Sequence, residues 1–205
     1  MTFKERIAIL ISGRGSNMDA LIEACKKPSF PASIKLVISN NPDAAGLDAA
    51  REAGIPTQVI DHHGFGKDRQ AHERQIDAAL QAHNISVVCL AGYMRILTPF
   101  LINNWEGKIL NIHPSILPLF PGLDTHAKAI KAGMKVHGCT VHIVTEVMDE
   151  GPILGQAIVP ILPDDTEHSL AKRLLKQEHL LYSQVLKNFI HKEEPEASVD
   201  ALING

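Results

Sequence analysis

Across the first two thirds of the chain, short apolar runs alternate with segments in which apolar residues recur every three or four positions. That alternation is the pattern of strand–helix–strand units laid on a parallel sheet. Apolar runs predict strands over residues 7–12, 34–39, 57–61, 87–91 and 108–112. Helical periodicity predicts helices over 17–27, from Pro42 to a C-terminal stop near Gly54, over 69–83 and around 99–103. One more helix is expected over 125–132. The pattern then changes. Residues 136–144 and 153–159 read as an antiparallel pair closing one side of the sheet, and 166–191 as a long helix with Thr166 as its N-cap. The expected fold class is therefore α/β: a mostly parallel seven-stranded sheet with helices on both faces, an antiparallel strand near the C-terminal part and a long C-terminal helix. Residues 1–192 read as one domain and 193–205 as a loose tail.

Composition narrows the partners. A net charge of −3, from 20 basic and 23 acidic side chains, offers no general attraction to nucleic acid or to an anionic membrane, so an anionic ligand must be held locally. Cys25, Cys89 and Cys139 are odd in number and lack metal-ligand spacing, which suits a reducing cytoplasm. The first apolar run, 7–11, is too short for a signal-peptide core or a membrane span. Small-molecule partners, and a monomer or homodimer, are the expectation.

Three stretches carry candidate chemistry. Ser12-Gly13-Arg14-Gly15-Ser16-Asn17 joins the first strand to its helix. Glycines let the backbone turn and present N–H groups, and the helix N-terminus adds positive charge, so this loop suits a phosphate, with Ser16 or Asn17 free to cap the helix. It is neither a P-loop nor a dinucleotide fingerprint, since no Gly-Lys-Ser/Thr follows and Met18 occupies the third glycine position. Second, Asn111 and His113 lie two apart on a strand that Pro114 ends, so both point to one side at a strand end. Asp149, in an Asp-x-Gly-Pro turn, is a carboxylate able to orient and charge the imidazole. The three make a side-chain oxyanion site, and with no nucleophilic Ser or Cys beside them they suit direct acyl transfer or attack by water. Third, Ala91-Gly92-Tyr93-Met94-Arg95-Ile96-Leu97 leaves a buried strand and becomes an apolar loop, either core or a slot for a flat heteroaromatic ring.

Eleven histidines raise the question of a metal. His62, His63, His113, His137 and His142 show no metal-ligand spacing, so no metal is expected. His62 and His63 read as solvated, and His142 as a hydrogen-bonded core residue.

Taken together, Asn111-Ile112-His113-Pro114-Ser115, Asp149-x-Gly151-Pro152, Gly15-Ser16-Asn17, the 91–97 stretch, Pro121-Gly122 and Gln177-Glu178-His179 resemble the folate-dependent formyltransferases, over about residues 6–190. That resemblance implies a single Rossmann-like domain. It also implies transfer of a formyl group from 10-formyltetrahydrofolate, as co-substrate, to the glycine amine of glycinamide ribonucleotide in purine biosynthesis. His113 would act as general acid, Asn111 would hold the tetrahedral oxyanion, and Asp149 would charge His113 and position a relaying water. Gly15, Ser16 and Asn17 would hold the ribonucleotide phosphate, and Leu175, Lys176, Gln177 and Glu178 would contact the ribonucleotide. Met94, Arg95, Ile96 and Leu97, with Thr145, Glu146, Val147, Met148 and Asp149, would enclose the pterin beside Asn111, and Arg69 would meet the folate. Three positions depart from the family pattern: Tyr93 for Phe, Arg14 for Asn and Glu150 for Gly.

The same catalytic set would also serve a formyltetrahydrofolate deformylase, expected to carry an extra N-terminal regulatory domain, or a methionyl-tRNA formyltransferase, expected to carry a C-terminal domain and a basic surface. A first strand near residue 6 and a negative net charge favour neither. A non-catalytic nucleotide-binding module would use the glycine loop but not the His113/Asp149 pair.

Overall fold

The computed structural model describes residues 4–192; the expected tail, 193–205, lies outside them. Five strands run parallel: β1 (Glu5–Ile11), β2 (Ala32–Ser39), β3 (Thr57–Val59), β4 (Val87–Leu90) and β5 (Ile109–His113). Then β6 (Val136–Ile143) reverses, pairing antiparallel with β5 on one side and with β7 (Ile153–Pro160) on the other. The seven strands lie in the order β3-β2-β1-β4-β5-β6-β7. The expected fold class stands, and β6 is the reversed strand.

Alternation along β1 explains how one sheet feeds two cores. Ile7, Ile9 and Ile11 pack with Met18 and Leu21 of α1 (Ser16–Lys26), Leu47 of α2 (Gly46–Glu52) and Tyr182 and Leu186 of α6 (Glu167–His191). Ala8 and Leu10 face the other way, onto Ile76 and Leu80 of α3 (Arg69–Ala82) and Leu101 of α4 (Pro99–Asn104). A third cluster packs Leu170 and Leu174 of α6 on Cys139, Ala157 and Val159, with Ile130 of α5 (Thr125–Lys131) at its margin. Full burial of each such Leu contributes roughly 1.5–3 kcal/mol.

Local chemistry sets the helix ends. Thr166 caps α6 as expected, its hydroxyl accepting from the Ser169 amide while the Ser169 hydroxyl accepts from the Thr166 amide. Tyr182, fully buried on the same helix, places its hydroxyl 3.1 Å and 3.0 Å from the Leu90 and Leu110 carbonyl oxygens, tying α6 to the last residue of β4 and the second residue of β5. The second helix starts later than its pattern suggests. The Asn41 side chain accepts from the Asp43 amide and Ala44 N–H returns to Asn41 O, so 41–45 is spent in turns before α2 begins at Gly46. A 3-10 turn at His62–Phe65, capped by Asp61, was not legible as a separate element. Among the described residues no helix is long and apolar enough to cross a membrane.

Candidate active site

The strand order reverses direction between β1 and β4, and in open α/β sheets a crevice opens there at the carboxyl ends of the strands. Here a crevice of about 200 Å³ lies between the loop after β1 and the loop after β4. Gly15 is the N-cap of α1 with φ 70°, a left-handed conformation that glycine adopts without Cβ strain. No side chain caps this helix, contrary to the capping role expected of Ser16 or Asn17, which occupy its first two positions instead. The first amides of α1 are therefore left to a ligand. Asn17 is buried and donates from Nδ2 to Glu178 Oε2 at 2.7 Å, while its Oδ1 lacks a partner. Burial raises the Glu178 carboxyl above its usual range, against the lowering effect of that hydrogen bond. Of the residues expected beside it, Leu175 and Gln177 are half-buried and Lys176 is exposed; Glu178 meets the loop after β1 through Asn17.

Ser12 links this loop to the next. Its Oγ accepts from the Met94 amide at 2.8 Å and donates to Asn40 Oδ1 at 2.5 Å. Met94 lines the crevice and, like Ile96, exposes its side chain, 68% and 58% accessible, whereas Leu97 is buried in the α3/α4 core. A Leu97 contact with ligand would thus be made by its main chain. Arg69 is exposed at the start of α3, and Arg95 is half-buried.

Two strand spacings from β1, about 10 Å, β5 ends in Asn111 and His113. His113 is nearly buried, with Nδ1 3.5 Å from Asp149 Oδ2 and Nε2 3.2 Å from the Phe120 carbonyl oxygen. Both ring nitrogens face acceptors. Asp149 Oδ2 also accepts from the Gly122 amide at 2.8 Å, which fixes the carboxylate from the loop after β5. The Asp-x-Gly spacing has a steric reason: a Cβ on Gly151 would sit 1.7 Å from the Ile143 carbonyl oxygen. Only glycine lets the chain turn back so close to β6 and deliver Asp149 to His113. Thr145, Glu146, Val147 and Met148 form the loop leading into that turn, with Val147 and Met148 exposed. Ser115 binds backbone, donating to Leu119 O at 2.7 Å.

His142 joins the site, although its sequence context gave it only a core role. It is the cross-strand partner of Asn111 on β6. Nδ1 lies 2.9 Å from the Ile143 carbonyl and so carries the proton; Nε2 then accepts from Asn111 Nδ2 at 3.2 Å. Burial lowers its pKa, in keeping with a neutral ring. The signal was register, which a single strand's pattern does not contain. Asp61, His62 and His63 do bring one donor atom each within 4.8 Å of one another. Asp61 Oδ1 is engaged with the His63 amide and His63 Nδ1, and His62 Nδ1 with the Asn40 carbonyl, all contacts that shape the 3-10 turn.

Comparison with known proteins shows the family. The formyl transferase family model matches residues 5–186. The chain belongs to the formyl transferase family. It is similar to phosphoribosylglycinamide formyltransferase of Escherichia coli (strain K12), 43% identical over 183 residues, covering 89% of this chain and 86% of that protein. It also resembles the human trifunctional purine biosynthetic protein adenosine-3, 46% identical over 184 residues and 90% of this chain. There the chain spans only 18% of the relative's length. Among solved structures, phosphoribosylglycinamide formyltransferase from Brucella melitensis superposes with a TM-score of 0.88 at 55% identity, covering 91% of this chain and 96% of that one.

Proposed function

We propose that this formyl transferase moves the formyl group of 10-formyltetrahydrofolate onto the glycine amine of glycinamide ribonucleotide, in the cytoplasm and in service of purine synthesis. The observation that carries this reading is the placement of Asn111, His113 and Asp149 on the same sheet edge as an uncapped helix N-terminus, with β4 between. A substrate with a phosphate at one end and a nucleophilic amine at the other, joined by a ribose and a glycyl amide, spans that separation. The exposed Met94, Ile96, Val147 and Met148 offer apolar surface on which a pterin would lie.

The chemistry balances without a protein nucleophile. The amine lone pair attacks the formyl carbon, a C–N bond forms, and the carbonyl π pair moves onto oxygen. That oxyanion accepts from the free amide hydrogen of Asn111 and from His113. Collapse breaks the bond between the formyl carbon and the folate nitrogen. The proton lost by the attacking amine passes to solvent water; His113 gives its proton to the departing folate nitrogen and is reprotonated from that water, with Asp149 orienting the ring.

The test is a spectrophotometric assay of folate deformylation with and without glycinamide ribonucleotide. Turnover that depends on the ribonucleotide, and that falls by a factor of about 100–1,000 or more in Asn111→Ala, supports the reading. Formate release at the same rate without ribonucleotide would instead mean that water is the acceptor.

A further inference from the structure

The loop after β1 binds anions through backbone amides and helix polarity, yet it also carries a guanidinium. Arg14 stands between Gly13 and Gly15, is exposed, and is the one ionisable side chain lining the crevice. Among the described residues it makes no hydrogen bond or ion pair of its own. Its charge is nonetheless felt locally: burial raises the Asp19 carboxyl on the first turn of α1, and Arg14 opposes that rise. An independent feature of the same crevice also points to a ligand. Asn17 is 92% buried, being only 8% accessible, and its Oδ1 has no partner while its Nδ2 is held by Glu178. A buried acceptor left unpaired is costly, and a bound ligand's hydroxyl would satisfy it.

Resting on the function proposed above, we infer that Arg14 is a phosphate-binding and specificity-determining side chain, clamping the dianionic phosphomonoester of the ribonucleotide from the solvent side while the α1 amides hold it from below. A helix N-terminus presents about half a positive charge, whereas a phosphomonoester carries about −1.5 to −2 near neutral pH. The mismatch leaves room for one full cation. A guanidinium matches phosphate with two parallel N–H donors, which a lysine in its place would not. Flanking glycines leave the Arg14 side chain free to fold over a bound anion, and its exposure means that it takes no part in the core. The consequence is selectivity: Arg14 favours phosphorylated over unphosphorylated riboside more than the amides would by themselves.

The experiment is calorimetric binding of ribose 5-phosphate, with ribose as the uncharged control, to wild type, Arg14→Gln and Arg14→Lys at two salt concentrations. Thermal melts check that the three proteins fold alike. The wild type is expected to bind ribose 5-phosphate, Arg14→Gln to bind it about tenfold more weakly with a shallower salt dependence, and Arg14→Lys to fall between them. In the transfer assay the same variants should raise KM for the ribonucleotide by a similar factor and leave KM for the formyl folate in place. Equal affinities in wild type and Arg14→Gln, or no binding by wild type, would overturn the inference. Weaker binding by Arg14→Gln in a protein with no transfer activity would uphold the role of Arg14 and reject the proposed reaction instead.

Discussion

His142 Nε2 accepts a hydrogen bond from Asn111 Nδ2 across the β5/β6 pair, at 3.2 Å. An amide can be flipped with little steric penalty, so something must decide whether Asn111 presents its donor or its acceptor to the substrate. His142 decides it, because Nδ1 is committed to the Ile143 carbonyl and Nε2 can only accept. One Asn111 hydrogen is thereby held and the other is aimed along the amide plane. Replacing His142 by Leu should lower kcat about 10–100-fold with a small change in KM, the mark of a lost transition-state interaction. The Asn111→Ala/His142→Leu double variant should be hardly slower than Asn111→Ala, because the two act as a unit. Additive losses in that cycle would contradict the coupling.

The turn that delivers Asp149 tolerates no side chain at residue 151. Gly151→Ala places a methyl where the Ile143 carbonyl oxygen stands, and the β6 strand end cannot yield without disturbing the His142 contact to that same oxygen. The expected result is a loss of stability on the order of 2–3 kcal/mol in urea unfolding, together with a fall in kcat larger than that for an exposed substitution such as Glu150→Ala. A Gly151→Ala protein as active as wild type would show that the turn is not under this constraint.

How much of this was legible beforehand follows from what each feature depends on. The strands, the two-sided core and the α6 cap depend on periodicity and neighbouring residues, so residues 7–12 and Thr166 announced themselves. Asn111 and His113 were legible as a pair because a strand's period of two puts them on one side. Asp149 was legible through its Gly-Pro turn, although the Cβ clash that demands Gly151 needs β6 in place. What could not be read was anything set by contact between distant segments: the His142 register, the Gly122 amide on Asp149, the Phe120 carbonyl on His113, and the late start of α2. Capping by Ser16 or Asn17 was misplaced because the helix begins one residue earlier, with a left-handed glycine as its N-cap.

Ser12 is the joint between the loops after β1 and β4, holding the Met94 amide and Asn40 with a single hydroxyl. Removing that hydroxyl frees the Met94 amide and leaves the buried Asn40 side-chain oxygen to find another partner. Ser12→Ala should therefore raise KM for both substrates, each by roughly 3–10-fold, from loss of a hydrogen bond of about 1 kcal/mol. Arg14→Gln, by contrast, should affect the ribonucleotide alone. Steady-state kinetics with each substrate varied in turn separates the two patterns.

His137 gives the fold an acid-side weakness. The ring is 1% accessible, Nε2 has no partner, and burial, reinforced by the nearby His126 and His113, pushes its pKa down to about 4 from 6.5. In the unfolded chain the ring titrates at its ordinary value, so between about pH 6.5 and 4 the unfolded state binds a proton that the folded state refuses. Stability is complete above that window, falls as pH drops through it, and levels off for this group once the folded ring is protonated too. The loss attributable to His137 is on the order of 3 kcal/mol. His126 stands edge-on to it, 5.0 Å between ring centroids, with its own pKa lowered by burial, and adds in the same direction. His137→Gln removes the titration and should flatten the stability profile from pH 6.5 to 4 by about that amount, at the cost of some packing at all pH values. Urea melts at half-unit pH steps measure this directly, and an unchanged slope in the variant would assign the acid sensitivity to other groups.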